Sequence, residues 1–211
     1  SAGARRAARA SVPLRRLFTG REPAYIYGTM ALWGFSEGGA LSYQAVYLSD
    51  MGFSTEYTSA LITTAMLGQT LTFTLMPLLQ ARIRPENMVL LGFLLFGGRV
   101  LSLTFIAQAA FPGWLVMALH FLGGSAQALI LTPITLMIGR CFSAEVSSTA
   151  QTMKTVASRG VGSSAGAFLY GWLYSVLPAQ GVMLLFTCLI FGFGVLTRAA
   201  GAWAQAPATR A

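Results

Sequence analysis

An all-α membrane protein, with six transmembrane helices in one bundle, is the fold class this sequence predicts. Three observations predict it. Only 9% of the 211 residues are charged and 55% are hydrophobic, whereas soluble domains carry roughly 25% charged residues. The apolar residues gather into runs of about 20, the length that crosses a hydrocarbon core of roughly 30 Å. Lys and Arg then fall in alternate connections, the pattern that sets orientation in a membrane. At a mean hydropathy of +0.64, a soluble fold would have to expose large apolar patches.

Residues 1–23 are basic and small, with Arg5, Arg6, Arg9, Arg15, Arg16 and Arg21. They read as a cytoplasmic linker or tail and lack the apolar core of a signal peptide. Residues 12–18 have the composition of a short interfacial helix, arginines at headgroup level and Leu17 and Phe18 dipping inward. A start at Ser1 fits a fragment or a processed chain.

The bundle is expected over residues 24–198, with spans at 24–48, 57–79, 87–108, 114–138, 150–176 and 181–197. Turn and cap residues separate them. Gly52 and Ser54 follow the first span, with Ser54 or Thr55 as the next N-cap. Arg84-Pro85-Glu86-Asn87, Phe111-Pro112-Gly113 and Leu177-Pro178 punctuate later junctions. Residues 199–211 are left as a C-terminal cytoplasmic tail. The fifth span carries Gly162 and Gly166 at a spacing that lets helix backbones approach. It also superficially offers a dinucleotide fingerprint, which is rejected because no strand precedes it.

Orientation follows from charge. Beyond the N-terminal arginines, basic residues stand in the second connection (Arg82, Arg84), around the fourth (Arg140, Lys154) and after the last span (Arg198, Arg210). The first, third and fifth connections have none. Both termini and the even connections are therefore expected in the cytoplasm. The net charge of +8 forms no basic stripe interleaved with aromatics, so a nucleic-acid partner is not expected; membrane lipid is. Cys141 and Cys188 form no CxxC, and no HExxH occurs. No enzyme activity, cofactor or metal is expected.

Ionisable groups within spans carry the functional expectation, because burying one in lipid costs about 2.5–3.5 kcal/mol on insertion scales. Arg99 lies about 14 Å from the third connection and His120 about 9 Å from it by helix rise. On antiparallel neighbours the two share a depth. Glu37 is the only carboxylate inside a span, since Asp50, Glu56, Glu86 and Glu145 are in or near loops. Arg159 either snorkels to the cytoplasmic surface or joins a polar cavity. Softer candidates are Gln44, Gln69, Gln127 and the threonines Thr63, Thr64, Thr72, Thr74, Thr132 and Thr135, which interhelical hydrogen bonds also explain. Trp33, Tyr43 and Tyr47 are candidates to stack on a ring, and Trp114 and Trp172 mark interfacial belts.

Gly97-Gly98-Arg99-Val100, Ala118-Leu119-His120-Phe121, the stretch from Met76 to Ile83, and Ser147-Ser148-Thr149-Ala150-Gln151 with the glycines after it carry a resemblance. The chain resembles the C-terminal half of a major facilitator superfamily transporter. More narrowly, it is similar to the branch that contains lactose permease and the phenylpropionate-type permeases, over most of residues 15–198. The resemblance implies an inverted 3+3 repeat in each half and a midplane site that is exposed alternately to the two sides. It places Arg99 at the family's deep arginine, His120 at its histidine and Arg159 where lactose permease has a lysine. Gly123 replaces the glutamate three residues beyond that histidine, and Met66 aligns with the eighth-helix carboxylate.

The function implied is the C-terminal half of a secondary transporter for a small polar or anionic solute such as a sugar or organic acid. Its partner would be an N-terminal six-helix half or a second copy. Arg99 would neutralise Glu37 or an anionic solute, and His120 would bind the solute or relay a proton. With Gly123 and Met66 in place, coupling stays open. Glu37 or His120 substitutes, the site lies in the other half, or the protein is a uniporter. The alternatives are a transport-inactive sensor or scaffold and a self-assembling six-helix channel.

Overall fold

The computed structural model describes residues 15–106 and 112–205, all helix or short connection. We number the helices α1 (Arg15–Phe18), α2 (Arg21–Asp50), α3 (Thr55–Gln80), α4 (Pro85–Ile106), α5 (Gly113–Cys141), α6 (Ala144–Thr155), α7 (Ser163–Val176) and α8 (Ala179–Gln205). A π-helical turn, Val156–Gly162, joins α6 to α7 in one column. Five of the six expected spans each lie inside one helix as far as the described residues go, and the fifth, 150–176, runs through α6, the π turn and α7. Residues 1–14, with part of the expected interfacial helix, lie outside them, as do residues 107–111 and 206–211.

Local chemistry sets the helix ends. Gly52, at φ 80°, closes α2. Its N–H donates to Ser49 O, and the Phe53 N–H reaches back to Leu48 O. This is a Schellman motif, and the left-handed position is why glycine stands there. Ser54 then caps α3, its Oγ accepting from the Tyr57 N–H at 3.3 Å. The last helix runs to Gln205, so residues 199–205 are helical where the sequence suggested a tail. Ala204 is buried, and Trp203 holds the Arg21 guanidinium 5.0 Å from its ring centroid. These contacts reward the extra turns.

Among the described residues α3, α4, α5 and α8 are long and apolar enough to cross a membrane. Helix α2, at 30 residues, and the α6–π–α7 column carry more polar side chains. Many are turned inward: Thr29, Ser36, Glu37, Gln44 and Ser158 are all buried.

Packing follows a non-sequential order. Helix α3 packs on α5, and α2 packs on the π turn and α7. Helix α4 packs on α5, as α2 does on α8, and α4 also packs on α8. Exchanging the first three long helices for the last three leaves this list unchanged, which is the packing symmetry of a three-plus-three bundle. The close pairs are made by small residues. A Cβ on Gly34 or Gly38 would strike Ser158 or Ser163, and one on Gly162 or Gly166 would strike Ala31 or Phe35. The equivalent pair behaves alike: Gly68 abuts Phe121, and Gly124 abuts Ala65. The glycines expected to form a packing face do so, with reciprocal glycines on α2 that complete the seam.

The start of α2 and the end of α8 share one end of the bundle. Arg21 stacks on Trp203 there, and Cys141 at the end of α5 donates its thiol hydrogen to Glu22 at 2.9 Å. At the opposite end Tyr174 donates to Asp50, tying α7 to α2.

Candidate functional site

Helix α2 supplies one wall of the site through its periodicity. Trp33, Glu37 and Leu41 recur every four residues, so they stack on one face, and all three line a cavity of about 220 Å³. Met66 and Gln69 of α3, Phe96 and Arg99 of α4, and Gly123 and Gln127 of α5 complete its wall. Five of the candidate residues therefore meet in one place: Trp33, Glu37, Gln69, Arg99 and Gln127.

Arg99 is buried, at 7% exposure. Its Nη2 donates to Gln44 Oε1 at 2.8 Å. The Gln44 amide nitrogen lies 3.5 Å from His120 Nε2, and His120 Nδ1 lies 2.9 Å from Val116 O. A backbone carbonyl only accepts, so Nδ1 carries the proton in this network and Nε2 is left to accept from the amide. The tautomer is assigned from these partners. An arginine on α4, an amide on α2 and an imidazole on α5 thus form one buried chain across three helices.

His120 is fully buried and, with Gln44, stands behind the cavity wall. Arg99 is the member of the chain that meets the cavity. Its Nε is buried with no hydrogen-bond partner among the described residues, so the chain spends only part of the guanidinium's donor capacity.

Glu37 is also buried, at 7% exposure. It pairs with Arg159 Nη1 at 3.4 Å, the Arg159 side chain being 58% exposed. Arg159 leaves the π-helical turn, where the extra residue per turn changes the direction of its side chain. It reaches Glu37 instead of extending free to the end of the bundle. Glu37 also feels the field of Arg99. One carboxylate therefore sits among two guanidiniums, and the set carries one positive charge more than negative.

Other candidates have structural partners. Thr72 Oγ1 donates to Ser125 Oγ at 2.7 Å, joining α3 to α5. Thr135 accepts from Lys154 Nζ at 2.9 Å. Tyr47 is buried and donates to Leu103 O at 3.2 Å. Tyr43 stacks on Tyr170 and Tyr174. Trp33 packs edge-on against Phe93 and Phe96 and also contributes to the cavity wall. Trp114 and Trp172 are exposed, as interfacial anchors would be.

Sequence reasoning passed over the π turn, and it ranked Gln44 with the soft candidates. For Gln44 a signal existed, because it follows Glu37 by seven residues and so returns to nearly the same helix face. For the π turn there was none beyond a run of small residues around Arg159.

Among the described residues no group of His, Cys, Asp and Glu is clustered to hold a metal. No curated protein and no solved structure matches the chain. The model of the MFS_1 like family matches residues 4–187, a stretch that holds every residue of the cavity and of the arginine–amide–imidazole chain. By that match, and with four helices among the described residues long and apolar enough to cross a membrane, the chain belongs to the MFS_1 like family and is a membrane protein of the major facilitator transporter type.

Proposed function

We propose that this chain is the C-terminal six-helix half of a secondary transporter in a plasma or bacterial inner membrane, with both termini cytoplasmic. It moves a small polar or anionic solute, such as a sugar or an organic acid, by alternating access. The branch it fits best is that of lactose permease and the phenylpropionate-type permeases. The observation that carries the reading is one cavity walled by Arg99, Glu37, Gln69 and Gln127 at the meeting of four helices. Its excess positive charge favours the anionic end of the solute range.

The N-terminal half, or a second copy, covers the cavity face. Support comes from α3, whose apolar window is 22% buried against 61% for α4. Arg99 orients the solute through donors that Gln44 leaves free. His120 acts one step removed, by holding Gln44, and Arg159 balances Glu37. Uptake by the full-length protein tests this. Arg99→Ala and His120→Ala should each lower it, whereas wild-type rates with wild-type pH dependence would remove both from the mechanism.

A second reading has its own support. Gly123 and Met66 both line the cavity and bring no carboxylate to it. That favours a transporter without this proton relay, or at the limit a sensor that binds solute and does not move it. A solute that raises the melting temperature of the purified protein but is never taken up would select the sensor.

A further inference from the structure

A larger cavity, about 370 Å³, lies beneath the α3–α4 connection, away from the central site. Arg82 and Arg84 of that connection and Arg140 in the last turn of α5 line it. Its remaining wall is largely apolar, with Met88 and Met137 buried behind and Leu136 43% exposed at the side. Among the described residues no carboxylate lines it. Glu22 and Glu86 line an adjoining pocket that shares Pro85, Met137 and Arg140 with it. Among the described residues no ion pair or side-chain hydrogen bond engages any of the three arginines.

We propose that this cavity is a headgroup site for an anionic phospholipid. Three guanidiniums around one hollow repel one another, and a bound phosphate reverses the sign of that interaction. Arginine suits the task because its planar fork meets phosphate oxygens in pairs. The apolar wall separates a lipid from a soluble phosphate, since it offers an acyl chain somewhere to lie. The level is also right. Arg21 and Trp203 mark the same end of the bundle, and a Trp–Arg pair is typical of the membrane–water boundary. Basic pockets at helix ends capture anionic headgroups by this chemistry. The proposal does not depend on which solute the central cavity takes.

Native mass spectrometry of the full-length protein, titrated with phosphatidylglycerol or phosphatidylcholine, tests it. Phosphatidylglycerol should bind about tenfold more tightly, and the triple variant R82Q/R84Q/R140Q should bring the two lipids to within about twofold. The lysine triple variant should keep part of the preference. Equal binding by the wild type, or a preference that survives in the glutamine triple variant, overturns the proposal. Displacement of the lipid by equimolar inorganic phosphate also overturns it and assigns the site to a soluble anion. If the triple variant does not fold, Arg82→Gln and Arg140→Gln are measured singly. Each should then lose part of the preference, and no loss in either is a negative result.

Discussion

Gly123 packs against the side chain of Arg99, so closely that a Cβ built there would stand 2.9 Å from Arg99 Cδ. The obstruction includes the root of the side chain, so a rotamer change at the guanidinium end does not relieve it. The glycine on α5 is what lets Arg99 fold back from α4 towards Gln44 on α2. Overpacking of this kind costs about 1–3 kcal/mol. Gly123→Ala should therefore lower the melting temperature in detergent and weaken solute binding together. Retained binding at wild-type affinity would mean that Arg99 does not need its present position.

Gln44 is the joint of the buried chain, since one amide serves both Arg99 and His120. Gln44→Leu removes both partners and leaves two buried polar groups unsatisfied, at about 1–3 kcal/mol for each neutral group and more for a charged one. Gln44→Glu restores an acceptor for Arg99 but supplies no donor for His120 Nε2. The expected order of stability is wild type, then Gln44→Glu, then Gln44→Leu. Chemical denaturation in mixed micelles reads that order, and a Gln44→Leu protein as stable as wild type would refute the network.

The Glu37–Arg159 pair is asymmetric, with a buried carboxylate and a mostly exposed guanidinium. Solvent screening at the Arg159 end keeps its worth near that of surface pairs, about 0–1 kcal/mol. A double-mutant cycle of Glu37→Gln and Arg159→Gln should return a stability coupling in that range. The functional effect is expected to be larger, because either change alters the charge that a solute meets. Arg159→Gln removes the excess positive charge, so affinity for anionic solutes should fall while neutral solutes are little affected. An equal loss for both classes would argue against charge selection.

How far these relationships were legible in the sequence depended on the kind of free energy involved. Arg99, His120 and Glu37 stood out because an ionisable group in an apolar run is expensive wherever its helix faces. Counting residues from a loop set the shared depth, and α4 and α5 do place Arg99 and His120 in one network. Rotation about the helix axis was not legible. Helix α5 is apolar on nearly every face, so nothing in its pattern says that Gly123 and Gln127 look into the cavity while His120 looks behind it. Gln44 was hidden because an amide in a span is tolerated in many settings. Helix extents were read to within a few residues, 57–79 expected against Thr55–Gln80 observed, since capping by Ser54 is a local event. The π turn was not read, because it depends on how two columns meet.

The glycine seams give a prediction with an internal control. At Gly162 a Cβ would stand 2.9 Å from Phe35 N, and at Gly124 it would stand 2.9 Å from Ala65 Cα. These obstacles are backbone, which can move only if the helices separate. Gly98 and Gly192 sit in α4 and α8 with nothing within 4 Å of such an atom. Alanine should thus destabilise at the first two positions, by about 1–3 kcal/mol from overpacking. At Gly98 and Gly192 it should be neutral or stabilising, by up to about 1 kcal/mol of helix propensity. Melting curves of the four single variants in one detergent decide the matter. Four equal losses would show that intrinsic helix effects outweigh packing. A tolerated Gly162→Ala would mean that α2 and the α6–π–α7 column do not meet as closely as their backbones do here, and the Glu37–Arg159 pair that this seam positions would lose its basis.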